Sequence, residues 1–279
     1  MPTFDTPDPI TVDLRMADGR VELVASDRTD TVVQIDPGTR VGAAGRVRVD
    51  YDRGLLSIKT PVNGRFRSRS ESVTIVIELP SRSSLLVRAA KVEIVATGVL
   101  GECRLHGASG QVALERTAEL QAHFADVDLD IARVTGSAEV KSARGVVRIG
   151  ELESSADVQS GHCTVTIGRA GGRLSVATAG GDVTIHRAES SVTARTAKGS
   201  LRVREAARDR IDLATGIGDV EVGIRPGSAA WVDAFTKSGA VRNHLPPRES
   251  PKDFAERVEV RTRTHRGEID IRAAHPTPA

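Results

Sequence analysis

Aromatic residues are scarce in this chain: one Trp, one Tyr and five Phe make up 3% of its 279 residues. Surfaces that stack nucleic-acid bases or sugar rings depend on aromatic side chains, so the composition argues against both kinds of site. The 39 Lys and Arg nearly balance the 37 Asp and Glu and leave a net charge of +2. That balance gives no electrostatic reason to expect nucleic acid or an anionic membrane as a partner.

Cysteine is also rare, and Cys103 and Cys163 are too few for a disulfide framework or a complete set of metal ligands. No apolar run reaches the roughly 18 residues that a membrane-spanning helix needs. The opening residues, MPTFDTPDPITVDL, lack the basic region followed by an apolar run that marks a signal peptide. We therefore expect a cytoplasmic protein with reduced thiols, no membrane span, no cofactor and no metal.

Pairs of apolar residues recur every nine residues through most of the chain, and each pair encloses one polar residue. The spacing is most regular over residues 172–223, where the first such positions are Leu174, Val176, Val183 and Ile185. This alternation predicts short strands with one buried face. Because the period stays nearly constant, it favours a solenoid in which coils of about 18 residues stack in parallel.

The predicted fold is all-β: a parallel two-sheet β-solenoid, or β-helix, of about ten coils. Residues 1–84 are expected to form an N-terminal strand-rich cap, and residues 85–272 the solenoid. Residues 243–256 form an inserted loop that interrupts the solenoid, and residues 273–279 a disordered tail. The whole is predicted to be one continuous unit.

Two further residue types repeat with the coils. Glycine lies two residues before the second pair of most coils, where a corner that always turns the same way requires a positive φ. Val127 and Cys163 occupy this place in two coils, which should turn differently. Ser or Thr lies four residues after each first pair begins, and its hydroxyl is expected to cap the turn. The glycines are Gly110, Gly145, Gly181, Gly199, Gly218, Gly239 and Gly267; the hydroxyl residues are Ser142, Ser160, Thr178, Thr196, Thr215, Thr236 and Thr264.

Two corner aspartates, Asp182 and Asp219, resemble those of calcium-binding β-rolls, but their Gly-Asp turns do not recur in consecutive coils as that site requires. A calcium site is therefore not predicted. Thr166 and Thr184 should be neighbours on one face, but arginines flank them, which excludes a flat ice-binding surface. No residue is predicted to be catalytic, to hold a cofactor or to ligate a metal.

Paired carboxylates are what a carbohydrate-active β-helix would need. Glu139 and Asp157 are expected on adjacent coils of one face, and Asp212 and Asp233 on another adjacent pair. Ordinary surface charge is the favoured interpretation of both pairs, because aromatic sugar platforms are expected to be missing from the faces.

The remaining candidates carry little chemistry. The seven histidines show no metal-ligand spacing, although His162 and Cys163 share a corner. Residues 61–72 are rich in arginine, and we favour a solvated loop there over a phosphate contact. The Pro-rich residues 243–256 are a candidate lid. No nucleotide-binding or acyl-transfer motif is present.

Repeated Gly-Asp-Val-x-Ile/Val units, at 181–185 and 218–222, and the opening ITVDLRMADGRVELVAS carry a resemblance to a known family. Over about residues 10–272 the chain resembles the bacterial β-strand-repeat adhesin-like proteins, also called domain of unknown function 4097. Its Arg- and Ala-rich composition is similar to that of the actinobacterial members. The resemblance implies a β-solenoid-like fold and no established activity.

The functional prediction is a non-enzymatic binding or scaffold protein that presents flat strand faces to a protein partner or to itself. Self-association could run end to end, since stacked coils can continue across subunits. A carbohydrate-binding or carbohydrate-active β-helix and a cell-surface adhesin are the alternatives.

Overall fold

β-Strands are the regular elements of the part of the chain that the structure, a computed structural model, describes: residues 1–36, 47–60, 73–246 and 256–274. The all-β class predicted from the nine-residue period is thereby confirmed. The chain divides into two compact units, Met1–Ser142 and Ala143–Ala279.

Seven strands lie in the first unit, and an eighth strand runs across its boundary at Ser142. They are β1 (Thr3–Asp5), β2 (Thr11–Ser26), β3 (Asp30–Asp36), β4 (Arg48–Asp52), β5 (Leu55–Lys59), β6 (Val73–Pro80), β7 (Ser84–Val134) and β8 (Ala138–Leu152).

The strands of the second unit are shorter. They are β9 (Ala156–Ala170), β10 (Leu174–Gly180), β11 (Val183–Ala188), β12 (Val192–Lys198), β13 (Leu201–Ala206), β14 (Asp209–Ile217), β15 (Val220–Ile224), β16 (Ser228–Ser238), β17 (Val241–Asn243), β18 (Glu256–Arg266) and β19 (Ile269–Ala273).

In the first unit β2 is itself a coil of the solenoid. It pairs in parallel with β7 on one edge and with β5 and β6 on the other. Val12 and Val21, nine residues apart, lie opposite Leu85 and Ile94 of β7 and are fully buried. The spatial order is therefore β5 and β6, then β2, then β7, which differs from the order along the chain.

Antiparallel strands cover the outer coil of this unit, which β5 and β6 form. β3 pairs with β6, and β4 pairs with β5 as a hairpin. Arg53 and Gly54 turn that hairpin with φ angles of 46° and 79°, as two-residue hairpin turns of right-handed twist require. β1 pairs with β3 in turn.

β7 runs for 51 residues without a break, although Gly98 within it has a positive φ of 85°. Hydrogen bonds between its successive coils show the period directly. The Gly101 N–H donates to the Ser83 carbonyl at 2.8 Å, and the Thr135 N–H donates to the Thr117 carbonyl at 3.1 Å. Each bond joins residues that are one 18-residue coil apart.

In the second unit the parallel register follows the apolar pairs. Leu174 lies between Ala156 and Val192, and Val192 lies opposite Ile211. These inward side chains are at most 5% exposed. The core is thus a thin layer of Val, Ile, Leu and Ala between two series of parallel strands.

The prediction that coils stack in chain order is wrong at the end of this unit. β14 pairs with β18, and β18 pairs on its other edge with β16. Likewise β15 pairs with β19, which pairs with β17. The last coil in the sequence therefore lies between the two that precede it. Its inward residues Val260 and Ile271 are fully buried, which suits a coil that is covered on both sides.

Corner glycines stack along the second unit as predicted. Gly199 and Gly218 have φ angles of 150° and 147°. A methyl group on Gly218 would lie 2.0 Å from the Gly199 carbonyl oxygen, so both the backbone angle and the close approach require glycine. Gly110 is an exception, since its φ lies outside the positive range. Val127 and Cys163, at the same place in their coils, are buried within continuous strands.

The capping predicted for the corner hydroxyls is found at several of these positions, where it joins neighbouring coils. In the part of the chain that the structure describes, however, the buried hydroxyls of Ser160 and Thr196 have no hydrogen-bond partner. The Thr215 hydroxyl donates to the Gly199 carbonyl at 2.9 Å, and the Thr264 hydroxyl donates to the Gly218 carbonyl at 3.0 Å. Thr236 bonds the Gly267 carbonyl at 3.0 Å. Each threonine thus ties one coil to the next at the corner where the glycines meet.

Candidate interaction surfaces

The terminal coil, β16 and β17 (residues 228–243), differs in burial from every coil beneath it. Val232 and Ala234 hold inward positions but are only half-buried, whereas their partners in β18, Val260 and Thr262, are 0% exposed. Val241, an inward position of β17, is 44% exposed. Among the described strands β16 pairs with β18 alone, so its other edge carries unpaired backbone groups.

The outer face of β16 presents two aromatic rings. Trp231 is 55% exposed and Phe235 is 58% exposed, and four residues of strand separate them by about 13 Å. The expectation that aromatic platforms are missing from the solenoid faces is therefore wrong. The signal was in the sequence: positions 231, 233 and 235 alternate with the inward pair and so share one face.

Charged groups surround these rings. The Arg263 guanidinium donates to the Asp233 carboxylate at 2.5 Å and holds the pKa of that carboxyl below its ordinary value. Arg261 lies over the Trp231 ring, 5.6 Å from its centroid, and pairs with Glu259 at 2.7 Å. These residues form one surface patch, made of Trp231, Asp233, Phe235, Glu259, Arg261 and Arg263. The patch combines two exposed aromatic rings with two ion pairs, and the opposite charges cancel within each pair.

Asp212 and Asp233 are not adjacent, contrary to prediction. Because β18 is inserted, the row across the strands runs Asp212, Arg261, Asp233. Arg261 thus separates the two aspartates in the row, so they are not neighbours as an acid and base pair would require.

Glu139 and Asp157 fall in different units. Glu139 forms an ion pair with Lys141, which is the main cause of the lowered pKa of its carboxyl, and its Oε1 lies 3.6 Å from Nε2 of His123. Asp157 lies opposite Ser175 in the parallel pairing of β9 with β10. Each carboxylate thus has its own local environment.

The corner aspartates have a structural task. The Asp182 carboxylate accepts the Ser200 N–H at 2.8 Å, and the Asp219 carboxylate accepts the Glu268 N–H at 2.8 Å. Each satisfies a backbone donor of the neighbouring coil at the glycine corner. These carboxylates therefore cap turns, and sequence reasoning could not find the role because the partner lies in another coil.

The histidines and cysteines offer no assembled site. Cys103 and Cys163 are buried free thiols, and burial raises the pKa of Cys103 to about 11. His106 and His123 meet edge to face at 5.0 Å, and burial is the first cause of the lowered pKa of His106. In the described part of the chain, no three His, Cys, Asp or Glu side chains converge as metal ligands would.

The sheet faces of the inner coils carry ion pairs between neighbouring strands. Thr184 lies between Thr166 and Arg202 along one row, as predicted. The Arg202 guanidinium donates to both oxygens of Glu221 at 2.9 Å, and this bond lowers the pKa of the Glu221 carboxyl. These faces present polar groups that are already paired to one another.

An open groove of about 380 Å³ lies at the corner of the first unit, above Gly19 and Gly110. Asp18, Lys91 and Asp128 line it with polar groups of both signs. Within the described segments no helix is long and apolar enough to cross a membrane. The arginine-rich residues 61–72 and most of the 243–256 loop lie outside the described residues.

Comparisons with known proteins find solved structures of low sequence identity and one family. An adhesin-like protein of Bacteroides fragilis is 14% identical, with 97% of this chain and 95% of that chain covered and a TM-score of 0.39. One from Parabacteroides distasonis is 11% identical over 96% and 95%, with a TM-score of 0.41. No curated protein matches the chain. The model of the Toastrack DUF4097 family matches residues 17–275, and the chain belongs to that family.

Proposed function

We propose that this protein is a non-enzymatic binding or scaffold module that engages a protein partner through its terminal coil. One observation carries the proposal. In the described part of the chain, β16 combines an unpaired strand edge with half-buried inward residues and two exposed rings, Trp231 and Phe235.

Strand edges of this kind bind proteins by adding a strand. The backbone groups of the edge supply hydrogen bonds, and the alternating side chains supply specificity. Trp and Arg are also enriched among the residues that dominate binding energy at protein interfaces. Trp231 and Arg261, in contact with each other, meet that description.

The inner coils serve as a rigid support in this proposal. Their inward residues are buried, and ion pairs such as Arg202–Glu221 join neighbouring strands. Since such surface pairs contribute about 0–1 kcal/mol each, the support comes mainly from the stacked apolar core.

The experiment places a photo-crosslinking amino acid at Phe235 of the full chain and, as a matched control, at the exposed Ile217 of β14. We expect protein crosslinks at position 235, identified by mass spectrometry, that Trp231→Ala removes and the Ile217 probe does not give. If position 235 crosslinks to no protein, whether another copy or a different chain, the proposal is wrong.

Carbohydrate binding is a second candidate, because Trp231 and Phe235 flank Asp233 on one exposed face. Arg261 already covers one side of the indole, which leaves less of the ring for a sugar. A glycan array on the full chain tests it: specific glycan binding that Phe235→Ala abolishes would establish this activity, and a blank array would exclude it for the glycans present.

A further inference from the structure

Among the residues that the structure describes, the edge of β16 lacks the features that normally keep strand edges apart. Proteins protect such edges with short strands, proline, bulges or several charged residues. β16 is 11 residues long, contains no proline, and has Lys237 near its end as its one unpaired charge among the described residues. A strand of this kind is suited to pairing.

The chain shows how it covers such an edge elsewhere. In the first unit, antiparallel strands β3 and β4 pair with the outer coil at β6 and β5. Ile75 and Ile77 of β6 are 0% exposed under that cover, whereas Val232 of β16 is half-buried. An antiparallel strand is therefore the kind of partner that completes an outer coil of this protein.

The sequence of β16 is complementary to itself in the antiparallel sense. With a two-fold axis at Asp233, the midpoint of the strand, Trp231 faces Phe235 of a second copy, and this contact occurs twice. Val232 then faces Ala234, an inward apolar pair. Aromatic pairs directly opposite each other are among the favourable cross-strand contacts.

The charges permit this arrangement. Asp233 would face its own copy across the axis, and like charges there are unfavourable. Each Asp233 carboxylate, however, is already bound by Arg263 of its own chain, and Arg261 adjoins it in the next strand. With Glu259 bound to Arg261, each patch has two cations and two anions and is neutral as a whole.

We infer that the terminal coil is a homodimer interface, in which β16 of two copies pairs antiparallel about a two-fold axis at Asp233. The inference rests on the proposed function and names its partner as a second copy of this chain. A two-fold contact uses the same patch on both copies and closes the assembly at two. It also supplies the layer that the inward residues Val232 and Ala234 lack.

The first test is light scattering and sedimentation of the full chain at protein concentrations from about 1 to 200 μM. A dimer whose dissociation constant lies in or below that range is populated at its upper end. We expect a dimer, and we expect Trp231→Ala to raise its dissociation constant about ten-fold or more. Ile217→Ala, a truncation of comparably exposed surface on an inner coil, should leave the dissociation constant unchanged. A monomer throughout the range would overturn the inference.

Cysteine crosslinking tests the register. Residues directly opposite each other across antiparallel strands lie about 5 Å apart, within reach of a disulfide, whereas positions four residues off lie about 13 Å apart. A mixture of Trp231→Cys and Phe235→Cys chains should therefore form a crosslinked dimer under oxidation, and either variant alone should not. The native thiols are buried and stay out of the reaction.

The outcomes separate this inference from the broader proposal. Disulfides in either single variant, or none in the mixture, would show that the strands are not paired as inferred. A monomeric chain that still crosslinks another protein at position 235 would overturn the homodimer and leave the binding function standing. Thermal unfolding of each variant shows whether it is folded. Because Trp231, Phe235 and Ile217 are exposed, substitution at these positions is compatible with folding.

Discussion

The outer coil of the first unit and the terminal coil of the second are built from the same strand pattern but end differently. Antiparallel strands cover β5 and β6, and Ile75 beneath them is 0% exposed. In the part of the chain that the structure describes, β16 has no such cover, and Trp231 and Phe235 stand out from its face. The comparison shows that a coil reaches full burial only when both of its edges are paired.

The largest expected effect concerns the corner glycines. Gly218→Ala should lower the free energy of unfolding by about 4 kcal/mol, because the methyl group meets the Gly199 carbonyl at a strained φ. Gly239→Ala, in the terminal coil, should cost about half as much, since that coil can shift outward. Urea unfolding measures both, and equal losses would show that the terminal coil is held as tightly as an inner one.

Core truncation gives the next largest contrast. Ile75→Ala in the covered coil should cost about 3 kcal/mol, because it opens a cavity between β2 and β3. Val232→Ala should cost under about 1 kcal/mol when measured at low protein concentration. Val260→Ala in β18 is the matched control, because it removes the same atoms from a fully buried site. Its loss of unfolding free energy should exceed that of Val232→Ala.

A smaller effect is expected for the corner hydroxyls. Thr264→Val removes the bond to the Gly218 carbonyl at a buried site and should cost about 1 kcal/mol. Thr236→Val removes the equivalent bond in the terminal coil, where water can replace it, so its cost should be smaller. Thermal unfolding of the two variants, with Thr184→Val on an outer face as a control, measures the difference.

The smallest effect is a dependence on acid. Arg28 lowers the pKa of Asp30 in the covering strands, mainly by a hydrogen bond, and Arg263 does the same to Asp233. Since each folded pKa lies below the unfolded value, the stabilisation is present above about pH 4 and is lost as the pH falls through the folded pKa. The protection of backbone amides in β3 and β16, taken as the intrinsic exchange rate at each pH divided by the observed rate, should therefore fall in acid, and fall less in Asp30→Asn and Asp233→Asn respectively. Protection that falls equally in wild type and variants would contradict this.

The nine-residue period predicted the buried positions because inward alternation is a property of each strand alone. Leu174, Val176 and Ile185 are buried as the pattern indicated. The period did not predict that β18 lies between β14 and β16, since coils with the same inward residues are interchangeable neighbours. The clue was that β16 places alanines inside and large rings outside, which is typical of an edge.

The corner threonines could be predicted only in part. Their place at the corner indicated a capping role, but the carbonyl that each one binds belongs to a neighbouring coil, and the Thr196 hydroxyl has no partner among the described residues. The roles of Asp182 and Asp219 depend on backbone donors of the neighbouring coil, at Ser200 and Glu268, so the sequence around each aspartate does not reveal them. The row of Asp212, Arg261 and Asp233 likewise depends on which strands meet.

The inserted position of β18 has a consequence for chain synthesis. When a ribosome has produced residues 1–243, β16 exists but its pairing partner, residues 256–266, does not. The edge of β14 is then also unpaired on the side that β18 later fills. The segment that emerges after them thus locks two earlier ones into place, and a premature stop before it would remove an interior layer of the unit and leave β16 without its neighbour.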